Sequence, residues 1–296
     1  MRDILVTGGS GQVGGALLRL GAPDGFRFIA PPRSELDLGD PASIAGFFGS
    51  RPWAAVINAG AYTAVDRAEA DVEAAWRVNA LAPACLASAT AAARVPLLHV
   101  STDYVFSGKL DRPYREDDAV GPLGVYGASK EGGEQAVRTG NPRHAILRTS
   151  WVVSAHGANF IKTMLRLGAD RDVLRVVADQ HGAPTSAADL AGVLALVVQR
   201  MIADPDAPAG TFHFANAGAT TWAGFAAEIF RLSAARGGPS ALVEPIATQD
   251  YPTPARRPGN SRLDLRRLRD LHGVQPRPWE WAVADILDEL IPPRAS

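Results

Sequence analysis

The chain of 296 residues holds a single cysteine, Cys85, and only three lysines, Lys109, Lys130 and Lys162. One cysteine excludes an intrachain disulfide, and its alanine-rich surroundings suggest no thiol metal site, so a reducing, cytosolic compartment is expected. An excess of charge is missing too: the formal net charge is -1 and the arginines stand singly or in pairs. Without a basic stripe, a nucleic-acid partner is not expected. The longest apolar stretch, Leu190 to Val198, is too short to span a bilayer. The run Ile4 to Thr7 behind Met1-Arg2-Asp3 is far short of a signal-peptide core. These absences predict a soluble cytoplasmic protein with no membrane partner. A composition of 47% hydrophobic and 21% charged residues fits one large or two closely joined globular domains. The six histidines show no ligand spacing and read as surface or packing residues.

What is present is an alternation. Short β-rich runs at Ile4-Leu5-Val6, Phe26 to Ala30, Ala55 to Asn58, Leu97 to Val100 and Ala145 to Leu147 are separated by helical patterns at Val13 to Leu20, Pro41 to Phe48, Val72 to Arg94 and Ala128 to Arg138. Strands alternating with helices predict an α/β fold with a Rossmann-like, doubly wound parallel sheet. After Trp151 the alternation fades and prolines gather, leaving helical patterns at Phe160 to Leu167, Ala187 to Met201, Trp222 to Ala235 and Trp279 to Leu290. The boundary is placed near Thr149. Residues 1–149 are expected to form a dinucleotide-binding domain and 150–296 a smaller, mainly substrate-binding portion, with room for it to return strands or helices to the first.

In such a sheet the ligand crevice lies beyond the carboxyl ends of the strands. Gly8, Gly11 and Gly14 follow the first strand and open a helix, where glycine lets backbone approach a pyrophosphate and the helix N-terminus favours its charge. Asn58-Ala59-Gly60-Ala61 and Ser101-Thr102-Asp103 follow later strands. Arg33, after the second strand, could meet a 2'-phosphate and so favours NADPH over NADH, although Glu35 lies two residues on. Asp37 and Leu38 are placed at the adenine, with a helix cap as the other reading of Asp37. Tyr126 and Lys130 stand four apart, hence on one helix face, where the ammonium can hold the phenol's pKa down. Together these features suggest a nicotinamide-dependent carbonyl reductase.

The spacing G-x-x-G-x-x-G and the Tyr-x-x-x-Lys pair resemble the extended short-chain dehydrogenase/reductase superfamily. Longer strings narrow this: Asn58-Ala-Gly-Ala-Tyr-Thr-Ala-Val-Asp66 with Ala68-Glu69, Ser101-Thr-Asp-Tyr-Val-Phe-Ser-Gly108, Val125-Tyr-Gly-Ala-Ser-Lys130 and Leu147-Arg-Thr-Ser-Trp151. Asp179-Gln-His-Gly-Ala-Pro-Thr-Ser186 and Arg257-Pro-Gly-Asn-Ser-Arg-Leu-Asp264 follow. From Ile4 to about Leu290 the chain resembles the dTDP-4-dehydrorhamnose reductase family. The resemblance implies reduction of the C4 ketone of a nucleotide sugar by NADPH or NADH, with Tyr126 as proton donor, Lys130 tuning it and holding the nicotinamide ribose, and Thr102 bonded to the carbonyl oxygen. It places Gly8, Gly11, Gln12, Val13, Gly14, Ala59 and Ala61 at the cofactor. Asp103, Tyr104, Trp151, Gln180, Thr185, Arg257 and Asn260 would line the sugar-nucleotide site.

Each has a plainer reading. Thr102 and Asp103 suit turns after a strand, Trp151 suits a core, and Tyr62, Asp66 and Glu69 suit a loop. One departure stands out. Some members hold magnesium at a dimer interface through carboxylates of three helices, where this chain has Ala16 and Ala188 and keeps acids only at Asp285, Asp288 and Glu289. Magnesium is therefore not expected, and a monomer is preferred over a homodimer. Two alternatives stay open: reduction of another nucleotide-linked 4-keto deoxysugar, and a non-catalytic regulatory subunit of the kind that accompanies methionine adenosyltransferase.

Overall fold

A computed structural model describes residues 1–291. Five strands, β1 (Arg2–Thr7), β2 (Phe26–Ile29), β3 (Ala55–Asn58), β4 (Leu97–Thr102) and β5 (His144–Thr149), join a sixth at Gly210–His213. Their order is β2, β1, β3, β4, β5, then Gly210–His213, and every neighbouring pair is parallel. The inner strands are buried on both faces, which is why they read as continuous apolar runs rather than alternating ones. The doubly wound parallel sheet expected from the sequence is present.

The helices are α1 (Gln12–Leu20), α2 (Pro41–Gly49), the short α3 (Val65–Ala68) and α4 (Val72–Trp76), α5 (Ala82–Ala92) and α6 (Val125–Gly140). Then come α7 (Phe160–Asp170), α8 (Ala187–Ala203), α9 (Trp222–Ala234), α10 (Arg266–His272) and α11 (Trp279–Leu290). On one face of the sheet α1 and α8 pack with Leu17, Leu190, Leu194 and Phe212 in the core. On the other face α2, α5 and α6 enclose Ile44, Leu86, Val137 and Ile146. A second core gathers α7, α9 and α11 with the parallel pair Val173–Val177 and Leu242–Ile246 around Phe225, Ile229, Trp279 and Leu287. Thus residues 187–213 sit on the first layer although they lie late in the chain.

The start signals are the ordinary ones. Asp40 caps α2 ahead of Pro41, Asn159 caps α7, Ser186 caps α8 and Thr221 caps α9. The single helix expected over Val72 to Arg94 is instead interrupted by a π-turn at Arg77–Leu81. Pro83 has no N–H to return to the Asn79 carbonyl, so an unbroken α-ladder is impossible there. That turn brings Asn79 against α6, where a Cβ on Gly133 would collide with the Asn79 carbonyl oxygen. No described helix is long and apolar enough to cross a membrane.

Candidate active site

A cleft of about 1,010 Å³ opens at the carboxyl ends of β1, β3 and β4. Its lining includes Gly8, Gly11, Gln12, Val13, Arg33, Asp37, Leu38, Ala59, Ala61, Thr102, Asp103, Tyr104, Tyr126, Lys130 and Trp151. So most residues singled out in the sequence converge on one cavity. A second cleft, about 570 Å³, lies at the opposite ends of the strands among Arg2, Arg27, Arg51, Arg94 and Arg143. Three of those cations are engaged, Arg27 and Arg51 by Asp3 and Arg143 by the Arg94 and Met201 carbonyls, and Arg2 lies over the Phe26 ring. The first cleft holds the chemistry.

The glycine turn is shaped for close approach. Gly8 has φ +71, and a Cβ there would lie 2.6 Å from Gly60 Cα, so only glycine lets the turn after β1 meet the turn after β3. Gly11 precedes α1 as its N-cap, and no side chain caps the helix, leaving first-turn amides free to meet an anion in the cleft. Gly14 does not line the cavity; a Cβ on it would strike the Gly8 carbonyl oxygen, so it serves the packing of α1 on the turn rather than contact with a cofactor. Arg33 is largely exposed at the rim and pairs with Asp37 at 3.4 Å. The Gly39 amide beside the Asp37 carboxylate holds its pKa below the usual range, and Asp40, not Asp37, caps α2.

At the other end of the cleft Thr102, Asp103 and Tyr104 leave β4 while Tyr126 and Lys130 come from the first turns of α6. Tyr104 and Tyr126 meet edge to face at 5.5 Å. Tyr126 is half-buried, and that burial pushes its phenol well above its usual pKa, with the Thr102 hydroxyl acting in the opposite direction. Here the structure corrects the sequence reading. Lys130 Nζ donates to the Val100 carbonyl at 2.7 Å and lies 3.4 Å from His99 Nε2, turned toward the strand rather than hydrogen-bonded to the phenol. Burial brings Lys130 itself down to about 8, with Glu134 one turn further on pulling it up.

Asp103 is 2% exposed and one oxygen, Oδ2, has no partner among the described residues. Burial raises it to about 6, opposed by the Ser261 and Thr102 hydroxyls. A carboxyl raised on folding weakens the fold wherever it is ionised, so the cost is full above pH 6 and fades as pH falls toward 3.8. Asp103→Asn is therefore expected to raise Tm by several degrees at pH 8, since about 1–2 kcal/mol of burial cost is relieved, and to leave it unchanged near pH 4. Thermal melts at the two pH values check this; an equal gain at both would contradict it.

Trp151 adopts φ +49 and stacks on Trp222 at 3.7 Å, closing the cleft beside Gly182. Arg257 does not line the cavity; it donates to Asp66 of α3 at 2.7 Å and to the hydroxyl of Tyr104, a cleft residue, at 3.2 Å. Gln180, Thr185 and Asn260 do not line the cavity. Gln180 donates to Thr248, and Thr185 is fully buried with its amide on the Trp151 carbonyl. Asn260 is used up by backbone: its amide donates to the Leu110 and Arg112 carbonyls at 2.8 Å and its oxygen accepts from Arg262.

Two supporting roles were not read from the sequence, that of Glu69, taken as a loop residue, and that of Asn79. Glu69 accepts from the Val125 amide at 2.8 Å, placing a carboxylate on the N-terminus of the helix that carries Tyr126. Asn79 clamps Tyr62 through both amide groups and donates to Ser129 of α6. A Glu at the end of a short helix or an Asn in a helical segment gives no such signal by its spacing. The acids left from the metal pattern are engaged, Asp285 by Arg277, Asp288 by Arg236 and Glu289 by His156, while Ala16 and Ala188 offer no ligand atoms. These residues do not fit a magnesium site.

A doubly wound parallel sheet with a glycine-lined cleft at its switch point and a Tyr-x-x-x-Lys helix beside it defines the class: a Rossmann-fold protein of the short-chain dehydrogenase/reductase kind. The family profile described as the RmlD substrate binding domain matches residues 1–291. A dTDP-4-dehydrorhamnose reductase of Aggregatibacter actinomycetemcomitans is 41% identical over 289 residues, 97% of this chain and 98% of that one. The crystal structure of a dTDP-4-dehydrorhamnose reductase from Clostridium acetobutylicum superposes with a TM-score of 0.91 at 36% identity, covering 97% of this chain and 99% of that one. Another, from Bacillus anthracis and in complex with NADP, gives 0.90 at 32% identity over 98% and 100%. The chain belongs to the dTDP-4-dehydrorhamnose reductase family.

Proposed function

We propose that this protein reduces the C4 ketone of dTDP-4-dehydro-β-L-rhamnose to dTDP-β-L-rhamnose, using NADPH in preference to NADH and no magnesium. The observation that carries the reading is the meeting of Thr102, Asp103, Tyr104, Tyr126 and Lys130 at the inner end of a cleft that begins at the glycine turn. Bound in that cleft, the nicotinamide supplies the hydride. Gly8, Gly11, Gln12 and Val13 would hold the pyrophosphate, Arg33 the 2'-phosphate, Asp37, Leu38, Ala59 and Ala61 the adenosine side, and Lys130 the nicotinamide ribose.

As the hydride adds to C4, the carbonyl oxygen takes the proton of Tyr126, and the phenolate left behind recovers one from solvent. A phenol raised by burial stays protonated at neutral pH and is ready as the acid. Thr102 hydrogen-bonds the same oxygen as charge develops on it. Arg257, bonded to Tyr104, would exchange Asp66 for the diphosphate, to which its planar fork can present two donors. Asp103, Tyr104 and Trp151 would contact the sugar. The unpaired Asp103 Oδ2 is suited to accept from a sugar hydroxyl. In this reading residues 1–149 hold the cofactor and also bring Thr102, Asp103, Tyr104 and Tyr126 to the sugar, residues 150–296 add Trp151 and Arg257, and the protein works in the cytoplasm as a monomer.

Two measurements test it. Turnover with dTDP-4-dehydro-L-rhamnose is compared with turnover of other nucleotide-linked 4-keto sugars; preference for one of the latter would redirect the substrate assignment. Arg33→Ala is expected to raise KM for NADPH about tenfold and leave KM for NADH unchanged, an effect limited by the exposure of the arginine. Equal effects on both cofactors would remove Arg33 from the 2'-phosphate.

A further inference from the structure

A buried polar chain runs beneath the floor of the cleft. The Gly60 amide donates to Thr7 Oγ1 at 3.2 Å, Thr7 Oγ1 donates to Asn58 Oδ1 at 2.6 Å, and Asn58 Nδ2 lies 3.0 Å from His99 Nδ1. His99 Nε2 then faces Lys130 Nζ at 3.4 Å. Thr7, Asn58, His99 and Lys130 are each at most 2% exposed. The chain therefore links the meeting point of the two glycine turns to the lysine through side chains of β1, β3 and β4.

The spacing of the last link is built into two elements. Lys130 and Glu134 are one helical turn apart on α6, about 6 Å, and His99 and Ser101 are two residues apart on β4, about 6.6 Å. The helix turn and the strand repeat match, so Lys130 meets His99 just as Glu134 meets Ser101, at 2.5 Å. We propose that His99 is a positioning residue for Lys130: its imidazole receives the lysine's N–H and fixes the amine at the end of the chain that starts at Gly60. The inference rests on the proposed reductase reading only for the use to which Lys130 is put.

Burial and the neighbouring ammonium hold His99 well below its usual pKa, so it stays neutral and adds no second charge. A neutral imidazole accepts at one nitrogen and donates at the other. When Nε2 accepts from the ammonium, Nδ1 carries the hydrogen and Asn58 must present its oxygen, the amide being turned over so that its Nδ2 donates to Thr7 Oγ1. With the amide oriented as it stands, Nε2 carries the hydrogen and suits a neutral amine. The two arrangements tie the proton on Lys130 to the amide of Asn58. The titratable groups around Lys130 are Tyr126 and Glu134 on α6 and His99 on β4; β1 and β3 offer only the uncharged Thr7 and Asn58.

The scarcity of lysine makes the test direct. With Cε-labelled lysine the protein gives three signals, and the exposed Lys109 and Lys162 serve as internal references. His99→Leu removes the acceptor and is expected to lower the titration midpoint of Lys130 by about one pH unit, the scale of one hydrogen bond to a charged group. His99→Gln, which can still offer an oxygen, is expected to restore most of that shift. In the reductase assay the alkaline limb of kcat should move with the NMR midpoint, and KM for NADPH should rise more than KM for the sugar. A midpoint unchanged in the leucine variant, with its melt intact, would overturn the proposal. If that variant does not fold, Thr7→Val at the far end must move the midpoint the same way by a smaller amount, and no movement there would overturn it equally. The NMR arm reads no turnover, so a failed reductase assignment leaves it standing.

Discussion

Tyr126→Phe is expected to lower kcat with dTDP-4-dehydro-L-rhamnose by about 10²–10⁴, the range for loss of a positioned proton donor, with KM for NADPH within about twofold. The substitution removes one oxygen and keeps the ring that meets Tyr104 edge to face at 5.5 Å, so the pocket wall survives. Stopped-flow oxidation of NADPH in single turnover separates this from a binding defect. A loss confined to KM would show that Tyr126 only shapes the site. With burial holding the phenol above its usual value, the native enzyme should show no acid-donor limb at neutral pH. An alkaline limb near 8 would instead report Lys130.

The largest effect on stability should come from Arg148→Met. Arg148 on β5 grips Glu134 through Nε at 2.9 Å and a terminal nitrogen at 2.7 Å, with both side chains shut from water. Ser101 and Arg138 bind the same carboxylate. These bonds outweigh burial and hold Glu134 below its usual pKa. A depressed carboxyl stabilises the fold above its unfolded pKa of about 4.3 and loses that contribution as pH falls through the folded value. Removing the arginine strands most of a buried charge, and a loss of about 3–5 kcal/mol, or roughly 10 °C in Tm, is expected at pH 7. The deficit should shrink toward pH 4, where the stranded carboxyl can be neutral. Glu134→Leu combined with Arg148→Met should recover most of the loss, because two apolar side chains leave no charge to compensate. A double variant as unstable as the single one would mean that packing, not charge, sets the cost.

Much of this was readable from the chain because the relevant signals are local. The glycines behind β1, the buried apolar runs and the four-residue spacing of Tyr126 and Lys130 are set by neighbours in sequence, and the sheet and the floor of the cleft follow from them. What sequence reasoning misplaced depends on contacts made across the fold. The family resemblance put Asn260 in the sugar-nucleotide site, yet its amide is spent on two carbonyls some 150 positions away. Lys130 was expected under the phenol, but a helix packed on a strand turns it toward Val100 and His99. His99, with the other histidines, was read as a surface or packing residue. A signal was available: His99 and Ser101 recur with period two after the apolar Leu97, which marks the later half of one face of β4 as polar beneath α6.

The central claim is tested most directly by following NADPH and NADH absorbance on mixing the native protein with dTDP-4-dehydro-L-rhamnose, with chelator in place of magnesium. The account predicts oxidation stoichiometric with the keto sugar, faster with NADPH, and formation of dTDP-L-rhamnose. Tight NADPH binding with no oxidation in the presence of that sugar would contradict it.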